Sequence, residues 1–213
     1  MDMELTYIYH SGFALSGDGF TVIMDYYRDS EDGQAQADLN RLMDGTFSNQ
    51  EAGMPEGTVH SELLRRPGKL YVLASHFHPD PFNKEVLQWR VSFLLQASGK
   101  KIFHAGDLNN WHWMDESTEA EWKGAEKNFL HELDDLYAYT PEVDVAMFPV
   151  DPRLGKEYMR GAGQFVTKIK THIFVPMHFT PEYAKANAFR DFAEAHGVRF
   201  VSLTHRGQKI EIE

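Results

Sequence analysis

Residues 70–80 read Leu-Tyr-Val-Leu-Ala-Ser-His-Phe-His-Pro-Asp, and this stretch decides how the rest of the chain is interpreted. Its apolar start is rich in β-forming residues and predicts a strand over 69–75, which two imidazoles and a carboxylate follow directly. Alternate spacing directs His76 and His78 to the same side if the backbone stays extended. Two neutral imidazoles that converge with the carboxylate of Asp80 suit a zinc-like ion. The stretch therefore predicts a metal site at a strand end, where α/β proteins place chemistry.

Composition limits the class of protein and the ligands that a metal can find. The chain has 213 residues, enough for one substantial core, so we expect a single domain over 1–213. It has no cysteine, which excludes disulfides and thiolate ligands and leaves His, Asp, Glu, Asn or water. The formal net charge of −11 disfavours a general nucleic-acid binder, whose surface would carry a basic stripe.

The sequence predicts neither export nor a membrane span. Residues 1–5 lack the basic start and apolar stretch of a signal peptide. No run approaches the roughly 18 apolar residues that predict a membrane span. We therefore expect a cytoplasmic protein that acts on a small molecule without a membrane or nucleic-acid partner, and self-association into a homo-oligomer is left open.

Strands and helices alternate along the chain, an order that predicts α/β layers. An opening hairpin is predicted from strands at 4–9 and 20–25 joined by a turn at 17–19. Further strands are predicted at 69–75, 101–105, 143–148 and 172–175. Helices are predicted at 84–97, 117–138, 156–170 and 181–195, and a closing hairpin at 198–203 and 208–212. Residues 28–68 are mostly polar and predict a long lid or insertion.

Ligand-type residues follow several of the predicted strands. Asp107 follows the strand at 101–105, Asp151 follows the strand at 143–148, and His178 follows the strand at 172–175. Groups at one end of adjacent strands can converge on one point although they lie far apart in sequence. This order favours a metal site assembled at the end of a sheet.

The motifs His76-x-His78-x-Asp80, Gly106-Asp107 and His178, in this order, resemble those of the metallo-β-lactamase superfamily. Segments 9–13 and 22–25 are similar to the start of its lactonase-like branch of metal-dependent hydrolases. The resemblance spans residues 5–212. It implies an α/β (α+β) fold, a four-layer αββα sandwich with two metals at one edge of the sheets.

The resemblance also implies roles for the motif residues. His76 and His78 would bind the first metal, Asp80 and His178 would bind the second, and Asp107 would bridge both. Zinc, as one or two ions, fits a His and Asp ligand set without thiolates. Manganese, iron and nickel fit the same ligands nearly as well.

The sequence departs from the family pattern at two places. Pro81 stands where the family has a His directly after the Asp, and no His lies between 79 and 103. His10, His104 and His112 are candidate substitute ligands or pocket residues. For His104 a locally hydrogen-bonded strand histidine is an equal alternative, and for His112 a packing role is.

Three further residues have predicted places around the site. Trp111 and Trp113 combine large apolar faces with one donor each, and we expect them to wall a substrate pocket. By the resemblance, Asp25 would be a supporting residue that orients the histidine loop.

The resemblance implies a metal-dependent hydrolase in which a metal-bound hydroxide attacks a lactone, ester, amide or phosphoester of a small molecule. Asp80 and Asp107 would be its catalytic carboxylates. The alternative, motivated by Pro81, is a non-catalytic binding or regulatory protein with a degraded metal site. An iron-dependent oxidoreductase is a third hypothesis, but such relatives commonly carry a cofactor domain for which this chain is too short.

Overall fold

A computed structural model describes residues 3–26, 68–75, 91–179 and 181–213. These residues belong to two compact units, the first from the start of the chain to Ala74 together with Thr204–Glu213, and the second Ser75–Leu203. The predicted insertion at 28–68 lies outside the described residues except for Gly68. The single domain over 1–213 stays a prediction.

The first unit contains a five-stranded mixed sheet. In spatial order its strands are β10 (Lys209–Ile212), β1 (Met3–Tyr9), β2 (Gly12–Gly17), β3 (Phe20–Met24) and β4 (Lys69–Leu73). Only the β3–β4 pair is parallel among these. The sequence prediction missed β2, which pairs with β1 on one side and β3 on the other. Its small and polar residues weaken the strand signal, although a two-residue Asp18-Gly19 turn joins it to β3.

The second unit contains another five-stranded mixed sheet together with the helices of the described residues. Its strands, in spatial order, are β5 (Phe93–Ala97), β6 (Lys100–His104), β7 (Glu142–Pro149), β8 (Lys170–Met177) and β9 (Arg199–Phe200). The helices are α1 (Glu119–Tyr139), a 3-10 helix (Pro152–Glu157), α2 (Arg160–Lys168), α3 (Tyr183–Asn187) and α4 (Arg190–Ala195). Strands β6 to β9 run parallel, and β5 is antiparallel to β6.

Helix α1 confirms the prediction of a helix at 117–138. It begins with a capping box in which the Thr118 side chain accepts from the Glu121 N–H, and the Glu121 carboxylate accepts from the Thr118 N–H at 2.8 Å. Phe129 and Leu133, four residues apart, share the buried face. The remaining surface of the helix is mostly charged and exposed, so packing of one narrow stripe positions it.

An aromatic cluster holds α2 against the second sheet. Phe148 of β7 stacks on Phe165 of α2 with ring centroids 4.4 Å apart. Phe103 of β6 stacks on Phe165 with ring centroids 5.6 Å apart, and all three side chains are at most 2% exposed. Burial of one such ring stabilises a fold by about 1.5–3 kcal/mol, so this cluster is a large part of the core beneath the strand ends.

The helix predicted at 84–97 is wrong over its last seven residues, 91–97, and the earlier part, 84–90, lies outside the described residues. Phe93–Ala97 is strand β5, which forms a hairpin with β6. The joining residues Ser98 and Gly99 have φ of 49° and 78°, the left-handed pair that a tight hairpin turn requires. Gly99 therefore closes a hairpin, whereas a helix at 84–97 would end just before it. A short apolar run fits either structure until its pairing partner is known.

The predicted closing hairpin is also wrong. Arg199–Phe200 pairs in parallel with Ile173 and Phe174 of β8, whereas Lys209–Ile212 pairs antiparallel with β1. The two segments belong to different sheets, because long-range pairing outweighs the turn signal between them. The predicted helix at 181–195 consists of α3 and α4, and the one at 156–170 consists of the end of the 3-10 helix, a turn and α2.

Two mixed sheets with helices confirm the predicted α+β class. The four-layer order of sheets and helices stays a prediction. Among the described helices, none has the length and apolar character needed to cross a membrane.

Candidate metal centre

Parallel pairing brings the ends of β6, β7 and β8 to one edge of the second sheet. The ladder continues past the strands, since the Ala105 N–H donates to the Met147 carbonyl and the Val150 N–H to the Met177 carbonyl. Three side chains that follow these strands meet there. His178 Nε2 lies 3.1 Å from Oδ1 of Asp107, and His178 Nδ1 lies 3.8 Å from Oδ2 of Asp151. The structure thus brings together Asp107 and His178, and it adds a second carboxylate on the far side of the ring.

The environment of this triad is largely dry. The side chains of Asp151, His178 and Asp107 are 0%, 7% and 18% exposed. Burial alone lowers the pKa of His178, but its interactions with Asp107 and Asp151 outweigh burial and raise that pKa above the ordinary value. The ring is therefore held by two carboxylates in a poorly solvated place, where their attraction for a positive charge is strong.

Arg153 neutralises one of the two carboxylates. Its Nε donates to Oδ1 and Oδ2 of Asp151 at 2.9 and 3.0 Å, its Nη2 pairs with Oδ2, and its backbone N–H donates to Oδ1 at 3.0 Å. Burial raises the pKa of Asp151, but the interactions with His178 and Arg153 prevail and hold that pKa well below its usual range. Asp151 is therefore an anion with its oxygens engaged.

Gly106 sets the position of Asp107. Its φ of 56° is left-handed, and a Cβ on this residue would lie 2.4 Å from the Val91 carbonyl oxygen and 2.8 Å from Cβ of Ser75. The turn closes with a 2.9 Å hydrogen bond from the Leu108 N–H to the Ala105 carbonyl. Only glycine fits this close approach, which gives the Gly-Asp pair of the sequence its physical reason.

Trp111 packs beside the triad. Its ring meets His178 edge-on with centroids 5.8 Å apart and stacks on Trp113 at 6.3 Å. A cavity of about 600 Å³ is lined by Asp107, Asn109 and Trp111 from this loop, and by residues of α1. The pocket role of both tryptophans stays a prediction, and the geometry places Trp111 at the cavity wall.

Two of the candidate substitute ligands make local hydrogen bonds. Nδ1 of buried His104 accepts the Gly106 N–H at 3.1 Å. Nδ1 of buried His112 accepts the Met114 N–H at 3.1 Å, which leaves Nε2 to donate to the Glu157 carbonyl at 3.1 Å. Both ring nitrogens of His112 are thus engaged, as its packing alternative expects. The ligand roles of these two residues stay predictions.

The remaining predicted site residues of the described chain lie in the first unit. The His10 N–H donates to the Tyr7 hydroxyl at 3.0 Å, and the Asp25 N–H donates to the Leu73 carbonyl at 2.9 Å, directly before the predicted histidine loop. The supporting role of Asp25 stays a prediction, because His76, His78, Asp80 and Pro81 all lie outside the described residues.

Backbone strain coincides with the predicted site residues. In the described ranges five non-glycine residues have positive φ, namely His10, Asp25, Ser98, Trp113 and His178. Ser98 belongs to the β5–β6 turn, and the other four are on the list of predicted site residues. Such conformations cost of order 1–3 kcal/mol each and concentrate at functional sites, so the strain independently favours a functional role for these places.

A polar network anchors the loop that carries Asp107 and Trp111. Asn110 Nδ2 donates to Gln164 Oε1 at 2.9 Å, Gln164 Nε2 donates to Glu126 Oε1 at 2.6 Å, and Arg160 Nε donates to the same oxygen at 2.6 Å. The hydrogen bond from Arg160 lowers the pKa of Glu126 and outweighs the effect of burial. Sequence reasoning missed this network because its members come from a loop and two helices and form no motif.

The sequence placed Asp151 among the ligand-type residues that follow strands but gave it no role of its own, and it predicted nothing for Arg153. Asp151 could be seen to follow a strand, as Asp107 does, but Pro152 directly after it is equally typical of a helix start. Arg153 gives no signal, since only the 3-10 turn brings its guanidinium onto the carboxylate.

The donor chemistry of Asp107 and His178 fits a divalent metal. Two donors that are each about 2.1 Å from one tetrahedral or octahedral ion lie roughly 3.0 to 3.4 Å apart. The observed 3.1 Å between Nε2 and Oδ1 falls in this range. Within the described ranges, no group of three or more His, Asp or Glu side chains forms a complete metal site. The further ligands that the sequence predicts, His76, His78 and Asp80, belong to the part not described.

No family model and no curated protein matches this sequence. Solved structures do show similarity. A candidate Zn-dependent hydrolase of the metallo-β-lactamase superfamily from Thermotoga maritima is 16% identical with a TM-score of 0.44, covering 91% of this chain and 85% of that one. A metallo hydrolase from the hyperthermophilic archaeon Ignicoccus hospitalis is 15% identical with a TM-score of 0.49, covering 100% and 99%. A candidate metal-dependent hydrolase from Parabacteroides distasonis is 14% identical with a TM-score of 0.47, covering 93% and 91%.

Proposed function

We propose that this chain is a metal-dependent hydrolase that acts on a lactone, ester, amide or phosphoester of a small molecule. The observation that carries the proposal is the 3.1 Å approach of His178 Nε2 to Asp107 Oδ1 at the shared end of β6 and β8. The sequence motif His76-x-His78-x-Asp80 supports it, because it supplies the further ligands that an imidazole and one carboxylate require.

Asp107 and His178 would hold the metal, with His76, His78 and Asp80 as the further ligands. When bound, the ion supplies Lewis acidity, which brings the pKa of water to about 7 and polarises a carbonyl or phosphoryl oxygen. Zinc is the first choice for this ligand set, as one or two ions, and manganese, iron or nickel would also fit.

The chain's own residues have separate tasks. Asp107 contributes the negative charge that attracts the cation, because Arg153 already compensates Asp151. Trp111 covers one side of His178 with an apolar ring and excludes water from it. Asp80 is the carboxylate that we expect to accept the proton of the attacking water.

The test combines metal analysis with hydrolysis assays on the purified chain. Wild type should contain or take up zinc, manganese or iron and should hydrolyse at least one member of a panel of lactones, esters, amides and phosphoesters. Chelation, His76→Ala and Asp107→Asn should each abolish that turnover, because they remove the metal, a ligand, and the negative charge of a ligand, respectively.

Two results would overturn the proposal. Turnover that survives in the two variants would show that the reaction does not use this site. A folded wild-type chain that takes up none of the three metals would instead favour the non-catalytic binding or regulatory alternative with a degraded site.

A further inference from the structure

We propose that Asp151 is a positioning residue that fixes the orientation and tautomer of His178, so that Nε2 is the nitrogen presented to a metal. This inference rests on the proposed function and deepens it. It assigns a task to a carboxylate that neither the sequence motifs nor the resemblance include.

The imidazole ring of His178 lies between two carboxylates. Nε2 faces Asp107 at 3.1 Å and Nδ1 faces Asp151 at 3.8 Å, so the two nitrogens have different neighbours. With Asp107 bound to the metal, Asp151 is the carboxylate left to favour a ring proton, which it does on Nδ1, and the lone pair then belongs to Nε2. Metal-binding histidines commonly hold their second nitrogen in this way, against a carboxylate.

Asp151 itself is not positioned to act as a metal ligand. Its side chain is fully buried, and Arg153 holds both oxygens through its guanidinium. A carboxylate held in this way keeps its negative charge but offers no open coordination position. It can still orient the imidazole, because its negative charge is fixed and Oδ2 needs to move only slightly closer to Nδ1 than 3.8 Å.

His178 needs a neighbouring group that fixes the orientation of its ring. His178 stands directly after β8 with a left-handed φ of 65°, so its backbone does not continue the strand. The Val150 N–H donates a 2.9 Å hydrogen bond to the Met177 carbonyl. This bond fixes Met177, directly before His178, and Val150, directly before Asp151. The ends of β7 and β8 therefore carry carboxylate and imidazole together as a pair.

The competing role is purely structural, since Asp151 caps the 3-10 helix and pairs with Arg153. Asp151→Asn discriminates, because asparagine keeps a capping oxygen and loses the charge. The same two strands offer a matched control at their other ends. Glu142, at the start of β7, lies 2.6 Å from Nε2 of His172 in β8, so Glu142→Gln removes a carboxylate from a histidine that lies outside the site.

The experiment measures zinc affinity by competition with a chromophoric chelator, and the His178 ring by ¹⁵N NMR of the zinc-loaded protein. Asp151→Asn should weaken zinc binding about 10- to 100-fold, and Glu142→Gln should leave it unchanged. In wild type the ring should show a slowly exchanging Nδ1 proton, assigned by its loss in His178→Ala. In Asp151→Asn this proton should exchange faster or shift to Nε2.

Unchanged zinc affinity and an unchanged ring signal in folded Asp151→Asn would overturn this inference alone and leave the metal site standing. Zinc binding that is absent in wild type, or unaffected by His178→Ala, would overturn the proposed function and this inference with it. If circular dichroism shows that Asp151→Asn does not fold, Arg153→Gln replaces it. That variant releases the Asp151 oxygens and should weaken zinc binding to a smaller extent, and unchanged affinity there would overturn the inference.

Discussion

The indole Nε1 of Trp111 donates a 2.7 Å hydrogen bond to the backbone carbonyl of Asp107. The same ring packs edge-on against His178 at 5.8 Å. One side chain therefore connects the two residues that we expect to hold the metal, by a hydrogen bond to one and an apolar contact to the other.

Trp111→Phe should lower the free energy of unfolding by about 1–3 kcal/mol, because it leaves a half-buried carbonyl without its donor. Urea unfolding measures this. Trp122→Phe is the control, since Trp122 is half-buried on α1 and its ring centroid lies 5.6 Å from Nζ of Lys123. The control should change stability by less than the test variant. Equal effects of the two substitutions would show that the hydrogen bond from Trp111 to the Asp107 carbonyl adds no measurable stability.

Gly106→Ala should destabilise the chain by about 2–4 kcal/mol. About 1–2 kcal/mol comes from the left-handed backbone and the rest from the contacts of the added methyl with the Val91 carbonyl and Ser75. Gly99→Ala is a matched control, because its φ of 78° is also left-handed but no atom lies within 4 Å of the added methyl. It should therefore cost only the backbone part. A comparison of urea midpoints separates the two, and equal losses would contradict the close approach at Gly106.

How far the sequence could predict this fold depends on the reach of each signal. Helix α1 was predictable because Thr118 and Glu121 are three residues apart and the buried stripe repeats every four. The segment 93–97 was not, because its apolar run fits a helix or a strand and its identity depends on pairing with β6. The closing segments failed for the same reason, since their partners lie far away in sequence.

The candidate site divides in a similar way. Asp107 and His178 could be expected to meet, because each follows a predicted strand and parallel strands end at one edge. The placement of Asp151 against Nδ1 depends on the β7–β8 register, in which Pro149 pairs with Met177. The pairing of the Arg153 guanidinium with the Asp151 carboxylate depends on the 3-10 helix that follows Asp151. Neither is encoded in a spacing that can be read along the chain.

Acid should weaken the contribution of Glu126 to stability. The folded-state pKa of Glu126 lies below its ordinary value, chiefly because of the hydrogen bond from Arg160. The unfolded chain therefore binds the proton first as pH falls. The stabilising contribution is complete above the ordinary glutamate pKa and is lost as pH falls through the lower folded-state value.

Glu126→Gln tests this assignment. The variant should be less stable than wild type at pH 7, and the difference should shrink as pH falls below about 4. Urea unfolding of both proteins at several pH values measures the difference directly. Glu119→Gln, which removes an exposed partner of Lys123, should show little difference from wild type at any pH. A gap for Glu126→Gln that stays constant down to pH 3 would show that its carboxylate is not held as the structure describes.

Zinc should stabilise the wild-type chain and not its site variants. A ligand that binds only the folded state at 100 times its Kd adds about 2.7 kcal/mol to the free energy of unfolding. For a chain of this size that corresponds to a rise in Tm of roughly 5 to 11 °C. His178→Ala and Asp107→Asn should each remove most of this rise, since the first deletes one of the two donors that lie 3.1 Å apart and the second removes the negative charge of the other. Glu142→Gln should keep the rise, because its carboxylate serves His172 at the other end of the same strands.

Differential scanning calorimetry with and without zinc, and again after addition of excess chelator, measures all four proteins. If Asp107→Asn and His178→Ala kept the full zinc-dependent rise, the metal would bind elsewhere on the chain, and the 3.1 Å contact would be an ordinary carboxylate–imidazole pair.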